Sequence, residues 1–309
     1  MNRSLVLFVS FFLAAASVHA GGGRDTSSGS AGGAPMIVTP AWLAAHIDDP
    51  NLIVFHVGSS KRDFTKGHIP RARFLWTMSL STTTEDLTLE LPPAEQADSV
   101  LKNLGISDGV RIVLCFANGN VTPTTRVFLT LEFLGLSGKV SLLDGGFDAW
   151  KSEGRPVTSA PASYLRGTYV PRGHPEVVVN ADWVAAHLDD HSVAIVDARG
   201  AQFYQGHGGG MPRAGHIPGA VNIQFSTLVD STNRFKGKPE LEKIFAAAGV
   251  KPGVTVVTYC HIGQQASLVY FVAKYLGYEA RLYDGSFEDW SSRDELPVVN
   301  PAAEPAHPR

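Results

Sequence analysis

Cysteine is scarce in this sequence, and its scarcity excludes several classes of protein. Cys115 and Cys260 are the only two cysteines among 309 residues, which rules out a disulfide-rich scaffold. Neither has a second cysteine or a closely spaced pair of histidines beside it, so a structural zinc site is excluded and no metal is expected. The two cysteines could form one disulfide, although they occupy related positions in two halves of the chain, which favours free thiols.

Charge is also sparse. Charged residues make up 18% of the sequence, the formal net charge is −3, and no basic block compensates for it. Nucleic acid is therefore not an expected partner. A hydrophobic content of 44% over 309 residues is typical of a globular protein with about two domains.

The N-terminus has the pattern of an export signal. Arg3 precedes the apolar residues 5–16, and positions 18 and 20 suit cleavage after Ala20, which makes residues 1–20 a signal peptide. Residues 21–35, rich in Gly, Ser and Ala, are predicted to form a flexible tether. The apolar stretch is too short for a permanent span, with an uncleaved anchor as the alternative. We therefore expect a periplasmic or secreted protein with no stable membrane span after signal removal.

The chain contains two copies of one pattern. The octapeptide WLAAHIDD at 42–49 returns as WVAAHLDD at 183–190, 141 residues later. Collinear blocks of this kind indicate duplication of a whole domain rather than a solenoid of short repeats. The other repeated blocks are GHIPRA at 67–72 with GHIPGA at 215–220, and LDGGFDAW at 143–150 with YDGSFEDW at 283–290.

Within each half, apolar runs alternate with helical patterns. Solid apolar strands separated by helices favour an α/β fold, in which a mostly parallel sheet is covered by helices on both faces. Ligands of such sheets bind at the carboxyl ends of the strands. The predicted strands are 52–57, 110–115 and 139–143 in the first half, and 192–198, 254–259 and 279–283 in the second. The predicted helices include 40–47, 124–134, 181–188 and 266–276.

The two halves differ where a reactive group is expected. Cys260 follows the apolar run 254–259 in the second half, whereas Phe116 stands in the matching place in the first. Asp197-Ala198-Arg199 similarly matches His56-Val57-Gly58. The second half is therefore predicted to be active and the first to be scaffold.

Cys260 is the candidate nucleophile. It lies at a predicted strand-to-helix turn, where backbone N–H groups and the helix N-terminus are expected to lower the thiol pKa and to hold an anion. The alternative is a buried, inert cysteine at a strand end. His261 is expected to stabilise the thiolate, either as a cation or as a neutral hydrogen-bond donor. The residues expected to bind substrate, mainly through main-chain N–H groups, are His261, Ile262, Gly263, Gln264 and Gln265.

Three further side chains have more than one possible role. Arg199 is suited to hold an oxyanion as a bidentate donor, and equally to form an internal bridge with Asp197. His216 recurs as His68 in the half that lacks the thiol, which indicates a structural role. Cys115 lies inside a strand pattern and is predicted to pack in the core, with a regulatory thiol as the alternative. The aromatic residues of 283–290 are predicted to be core anchors.

These motifs resemble those of the tandem-domain rhodaneses, a sulfurtransferase family. The resemblance covers about residues 36–297 and rests on GHIPGA, the Cys260 loop and YDGSFEDW. It implies two tandem rhodanese-like domains, an inactive one at 36–152 and a catalytic one at 176–297, with a linker at 153–175 and a tail at 298–309. It also implies a persulfide on Cys260, formed from a small anionic sulfur donor, thiosulfate, with release of sulfite. The sulfur would pass to cyanide or a thiol acceptor, and no cofactor is required.

Departures from the family pattern bear on the donor. Related thiosulfate enzymes often carry Arg-Lys after the cysteine and mercaptopyruvate enzymes Gly-Ser, whereas this chain has His261-Ile262. Residues 203–206 lack the extra arginine typical of mercaptopyruvate enzymes, so thiosulfate is the expected donor. The alternatives are a 3-mercaptopyruvate sulfurtransferase and a non-catalytic periplasmic sulfur carrier or binding module. A phosphatase would need an arginine at Ala266, and a thioredoxin-like oxidoreductase a second cysteine at Gly263.

Overall fold

The computed structural model describes residues 35–117 and 119–303. The predicted signal peptide, nearly all of the predicted tether and the end of the predicted tail lie outside the described residues. None of the helices within the described ranges is long and apolar enough to cross a bilayer.

The first half is built around a five-stranded parallel sheet with strand order β1-β5-β4-β2-β3. Its strands are β1 (Ile37–Val38), β2 (Leu52–Gly58), β3 (Arg73–Trp76), β4 (Arg111–Phe116) and β5 (Val140–Leu143). Its helices are α1 (Pro40–His46), α2 (Lys61–Lys66), α3 (Ala94–Asn103), α4 (Thr122–Leu131) and α5 (Gly146–Ser152). A π-helical turn, Glu132–Leu136, continues α4.

The second half repeats this plan with strand order β6-β10-β9-β7-β8, again all parallel. Its strands are β6 (Val178–Val179), β7 (Val193–Asp197), β8 (Val221–Asn222), β9 (Thr255–Tyr259) and β10 (Glu279–Tyr283). Its helices are α6 (Ala181–Ala186), α7 (Ala201–Tyr204), α8 (Lys238–Ala247), α9 (Gln264–Leu276) and α10 (Ser286–Ser292). Short 3₁₀ turns occupy Pro175–Val177 and Phe225–Leu228. The prediction of two parallel α/β units is confirmed.

Burial on both faces explains why the central strands are continuous apolar runs. In β2, Leu52 and Val54 pack on one face, and Ile53, Phe55 and Val57 pack on the other. All five are buried, as expected for parallel strands with a helical layer on each side.

The two halves share one hydrophobic core. It runs from the inner face of the first sheet to that of the second, and the rings of Phe128 in α4 and Phe271 in α9 meet edge to face at 4.8 Å. Matching aspartates reach across the boundary in both directions, because Asp144 accepts from the amide of Phe235 at 2.9 Å and Asp284 from that of Leu91 at 3.0 Å. The first half therefore lies against the carboxyl edge of the second sheet.

Several residues that the sequence predicts to be structural are buried in the protein core. Both cysteines are free thiols, and Cys115 is fully buried in β4. The Nδ1–H of His216 donates to the Tyr204 carbonyl, and the imidazole stacks on the Tyr204 ring, as that of His68 does with Phe64. The aromatic residues of 283–290 are also buried. The indole N–H of Trp290 donates to the Pro297 carbonyl, and that of Trp150 in the first half donates to the Pro156 carbonyl.

Candidate active site

Cys260 lies directly after β9, and its sulfur is enclosed by the loop that leads into α9. Gly263 has φ of 79°, a left-handed conformation that glycine adopts without strain. This turn lets α9 begin at Gln264, two residues earlier than the sequence predicted. The backbone amides of Ala266, Ile262 and Gln265 donate towards the sulfur. The predicted cradle of N–H groups around this thiol is therefore present.

The predicted lowering of the thiol pKa is wrong for this structure. Cys260 is only 1% exposed, and its burial, the largest influence, raises the pKa above the ordinary value for cysteine. The three amides act in the opposite direction but do not outweigh the loss of hydration. The loop amides therefore favour the thiolate, but the exclusion of water disfavours it more strongly, so the protonated thiol is the favoured form at neutral pH.

The first turn of α10 fixes the other side of the Cys260 loop. The Cys260 amide donates to Oγ of Ser286 at 3.3 Å, and the amides of Phe287 and Glu288 donate to the carbonyls of Cys260 and His261, each at 3.0 Å. Because the carbonyls are engaged outwards, the following amides are free to point at the sulfur. Sequence reasoning missed Ser286, although the change from Gly146 in the first copy to Ser286 in the second was a signal.

Arg199 is tied inside the protein and is 2% exposed. Its guanidinium binds Asp197, with Nη2 2.6 Å from Oδ2, and also donates to the Gly215 carbonyl at 2.7 Å. It lies over the ring of Phe287 at 4.0 Å. Burial opposes its charge, but the hydrogen bonds and charge of Asp197 raise the pKa of Arg199. The internal bridge is confirmed, and the substrate-binding role remains a prediction.

His261 borders the site as a neutral imidazole. Burial, followed by the positive charge of Arg199, lowers its pKa, while Asp197 and Gln265 act in the opposite direction. Its ring meets that of Phe203 edge to face at 4.7 Å. Of the two states left open by the sequence, the neutral donor is the one that the structure favours.

Side chains of the first half contact the Cys260 loop. Arg126 of α4 is 3% exposed, and its Nη1 lies 2.6 Å from Oδ1 of Asp284. A Cβ atom placed on Gly263 would lie 2.8 Å from the same Nη1. The Gln264 side chain points towards this boundary and donates to Oγ1 of Thr122 at 3.1 Å. Arg126 was not found from the sequence, because nothing in its own half marks it as a neighbour of the loop.

The matching place in the first half holds a phenyl ring. Phe116 is buried, and a Cβ atom on Gly146 would lie 2.6 Å from that ring. The ring and a serine at 146 therefore exclude each other, so the half that lacks the thiol also lacks the hydroxyl that receives the Cys260 amide.

A parallel α/β fold that occurs twice in the chain, with an enclosed thiol at one strand-to-helix turn, defines a class of tandem α/β proteins with a candidate cysteine nucleophile. Within that class, a family model described as the Rhodanese-like domain matches residues 39–153 and again 180–293. The chain belongs to this family, as two tandem rhodanese-like domains.

Relatives match over most of the chain. The sulfur carrier protein TtuD of Thermus thermophilus is 31% identical over 279 residues, which are 85% of this chain and 96% of that protein. The thiosulfate sulfurtransferase of Azotobacter vinelandii is 29% identical, over 85% and 97%. The 3-mercaptopyruvate sulfurtransferase of Escherichia coli is 30% identical, over 83% and 95%. The chain is therefore a member of a sulfurtransferase family.

Solved structures agree on the fold. The crystal structure of SseA from Escherichia coli, a 3-mercaptopyruvate sulfotransferase, superposes with a TM-score of 0.73 at 28% identity, covering 81% of this chain and 98% of SseA. An anaerobic ergothioneine biosynthesis enzyme from Chlorobium limicola gives 0.75 at 23% identity, covering 86% of this chain and 70% of that one. At that identity the second likeness concerns the fold alone.

Proposed function

We propose that this protein is a thiosulfate sulfurtransferase that carries sulfane sulfur as a persulfide on Cys260. The observation that carries the proposal is the position of the Cys260 sulfur beneath the amides of Ile262, Gln265 and Ala266. Amides fixed in a site without water stabilise a sulfur anion with little reorganisation. No comparable thiol occurs at the matching place in the first half, where Phe116 stands.

The proposed reaction has two displacements. Before the first displacement, the Cys260 thiol releases its proton to solvent, against its raised pKa. The thiolate then attacks the outer sulfur of thiosulfate, the S–S bond of the donor breaks, and sulfite leaves with the bonding electrons. In the second, cyanide or a thiolate attacks the terminal sulfur of the persulfide, and the Cys260 thiolate is released. The loop amides face Sγ, which carries the negative charge before the first displacement and after the second, whereas the outer sulfur carries it in the persulfide.

The surroundings of the thiol support an inorganic anionic donor. His261 is neutral and Phe203 adds a second aromatic wall. Arg199 lies close enough for its positive charge to interact with a Cys260 thiolate, while the negative charge of Asp197 raises the pKa of Cys260. Mercaptopyruvate as donor is the second candidate, and transfer without turnover is the third, because relatives named for each function match this chain.

Intact-mass analysis after incubation with thiosulfate or with mercaptopyruvate tests the proposal. We expect thiosulfate to add the mass of one sulfur atom to the wild type and to Cys115→Ala, and to leave Cys260→Ser unchanged. Cys260→Ser should abolish steady-state sulfite release with thiosulfate and cyanide, whereas Cys115→Ala should not. Sulfur uptake from mercaptopyruvate only would favour the second candidate, and uptake without turnover would favour the carrier. Equal sulfite release by wild type and Cys260→Ser would refute the proposal that the protein catalyses sulfur transfer through Cys260.

We also propose export, on the basis of residues 1–20. Cell fractionation with the full-length gene should place a protein beginning after Ala20 in the periplasm or medium. Recovery of uncleaved chain in the cytoplasm would contradict this proposal.

A further inference from the structure

A cavity of about 350 Å³ lies at the carboxyl edge of the first sheet, in the half without the reactive thiol. Its inner walls include His56, Gly67, Ala117 and Phe147. Carboxyl edges of parallel sheets are common ligand sites, so the place of the cavity in the fold is that of a binding site.

The matching place in the second half is filled by the guanidinium of Arg199. By strand register His56 pairs with Cys115 as Asp197 pairs with Tyr259, so Gly58 stands where Arg199 stands. Arg199 contacts Asp197, the Gly215 carbonyl and the Phe287 ring. The counterparts of these three groups are His56, Gly67 and Phe147, and all three line the cavity. A Cβ atom on Gly58 would lie 3.7 Å from Ala117 and 3.9 Å from His56, which both line the cavity, so an arginine side chain at position 58 would extend into it.

His56 supplies a buried polar atom without a partner. Its side chain is 3% exposed, and among the described residues its Nδ1 has no hydrogen-bond partner. Burial, followed by the charge of His68, lowers the pKa of His56 to about 4. At neutral pH the imidazole is therefore uncharged and can accept a hydrogen bond from a cation. A buried polar atom left unpaired is disfavoured, which a ligand would relieve.

The rim carries two ion pairs. Lys66 lies 2.8 Å from Asp63, and Lys151 lies 2.8 Å from Asp148, with all four side chains at least 40% exposed. The ammonium of Lys151 also lies 4.9 Å from the centre of the Phe147 ring, which shows that this ring already accepts a cation on its face. Exposed ion pairs of this kind exchange partners at a small cost in free energy. The lysines and aspartates of the rim can therefore bind either an anionic or a cationic group of a ligand.

We propose that the first half binds a small guanidinium compound that also bears a carboxylate. The guanidinium enters the cavity, stacks on Phe147 and donates to Nδ1 of His56 and to the carbonyl of Gly67, as Arg199 does with the matching groups of the second half. Lys151 leaves the ring and joins Lys66 at the carboxylate of the ligand.

Calorimetric titration of the full protein with L-arginine, methylguanidinium and L-citrulline tests this proposal. Citrulline is the matched control, because it replaces the guanidinium with an uncharged group of the same shape. We expect saturable binding of arginine, weaker binding of methylguanidinium, and at least about tenfold weaker binding of citrulline.

Two variants probe the site itself. Gly58→Arg should abolish arginine binding by placing a guanidinium in the cavity, and the chain can accept it because a Cβ there meets neighbours no closer than 3.7 Å. His56→Asp should bind arginine at least about tenfold more tightly, because it restores the carboxylate found at Asp197. Equal binding of arginine and citrulline, arginine binding unchanged by Gly58→Arg, or binding of acetate but not of arginine would each overturn the proposal. Should either variant fail to fold, the comparison of arginine with citrulline on the wild type decides.

Discussion

At the scale of single residues, two exchanges distinguish the Cys260 loop from the matching loop of the first half. Cys260 and Phe116 follow equivalent strands, but the ring of Phe116 fills space that only Gly146 leaves free. The smaller thiol admits Ser286, which adopts φ of 52° and accepts the Cys260 amide. Two exchanged residues therefore separate a loop organised around sulfur from one that is filled by a hydrocarbon ring.

Gly263→Ala should slow sulfur transfer and should also destabilise the folded protein. The new Cβ would lie 2.8 Å from Nη1 of Arg126, and the loop must shift, which moves the amides away from the Cys260 sulfur. We expect the rate of persulfide formation from thiosulfate to fall by about 10- to 100-fold. The left-handed backbone adds about 1 to 2 kcal/mol of destabilisation. Stopped-flow measurement of sulfite release gives the rate.

Gly253→Ala is the matched control for this prediction. Gly253 has φ of 82° and no atom within 4 Å of its Cβ position. It therefore imposes the same backbone strain without a steric contact at the loop. If both variants lose activity to the same extent, backbone strain rather than the contact with Arg126 is responsible, and the supporting role of Arg126 fails.

At the scale of secondary-structure elements, the sequence predicted most of the architecture. The apolar runs and their repetition placed the central strands within one or two residues, because burial on both faces leaves a strong local pattern. The same reasoning located Cys260 and the internal bridge of Arg199. It could not predict the burial of the thiol or the contact with Arg126, because these depend on how α4 and α9 pack between halves that are far apart in sequence.

Glu132→Ala should destabilise the contact between α4 and α9. Glu132 is 2% exposed and accepts from the hydroxyl of Tyr270 and from the ammonium of Lys274, both at 2.8 Å. Removing the carboxylate leaves a buried hydroxyl and a partly buried cation unpaired. We expect a loss of about 2 to 4 kcal/mol in the free energy of unfolding, measured by chemical denaturation.

The exposed pair of Lys236 and Glu240 provides the comparison. Its atoms are 2.7 Å apart, but the Glu240 side chain is 57% exposed. Glu240→Ala should therefore change stability by less than about 1 kcal/mol. Similar losses for the two variants would show that the Glu132 cluster contributes no more than a surface ion pair.

At the scale of the whole molecule, the two halves are held by charged groups as well as by a shared core. Glu90 and Asp284 both lie near Arg126 at the boundary. Burial, and then the charge of Asp284, raises the pKa of Glu90 to about 7, while Arg126 acts in the opposite direction. A third carboxylate, Glu288, accepts from the amide of Thr88 at 2.7 Å. The boundary therefore holds more negative than positive charge once Glu90 ionises.

Glu90→Gln should remove a pH dependence from the stability of the whole protein. Between the ordinary carboxyl pKa of 4.5 and about 7, the folded state keeps a proton on Glu90 that the unfolded state has lost. The free energy of unfolding should therefore fall as pH rises through this interval. The variant mimics the protonated acid, so it should match the wild type near pH 5 and exceed it above pH 7. Denaturant unfolding at pH 5, 6, 7 and 8 measures the difference, with Glu240→Gln as the exposed control. If the free energy of unfolding varied with pH in the same way for wild type and Glu90→Gln, the ionisation of Glu90 would not affect the stability of the folded protein.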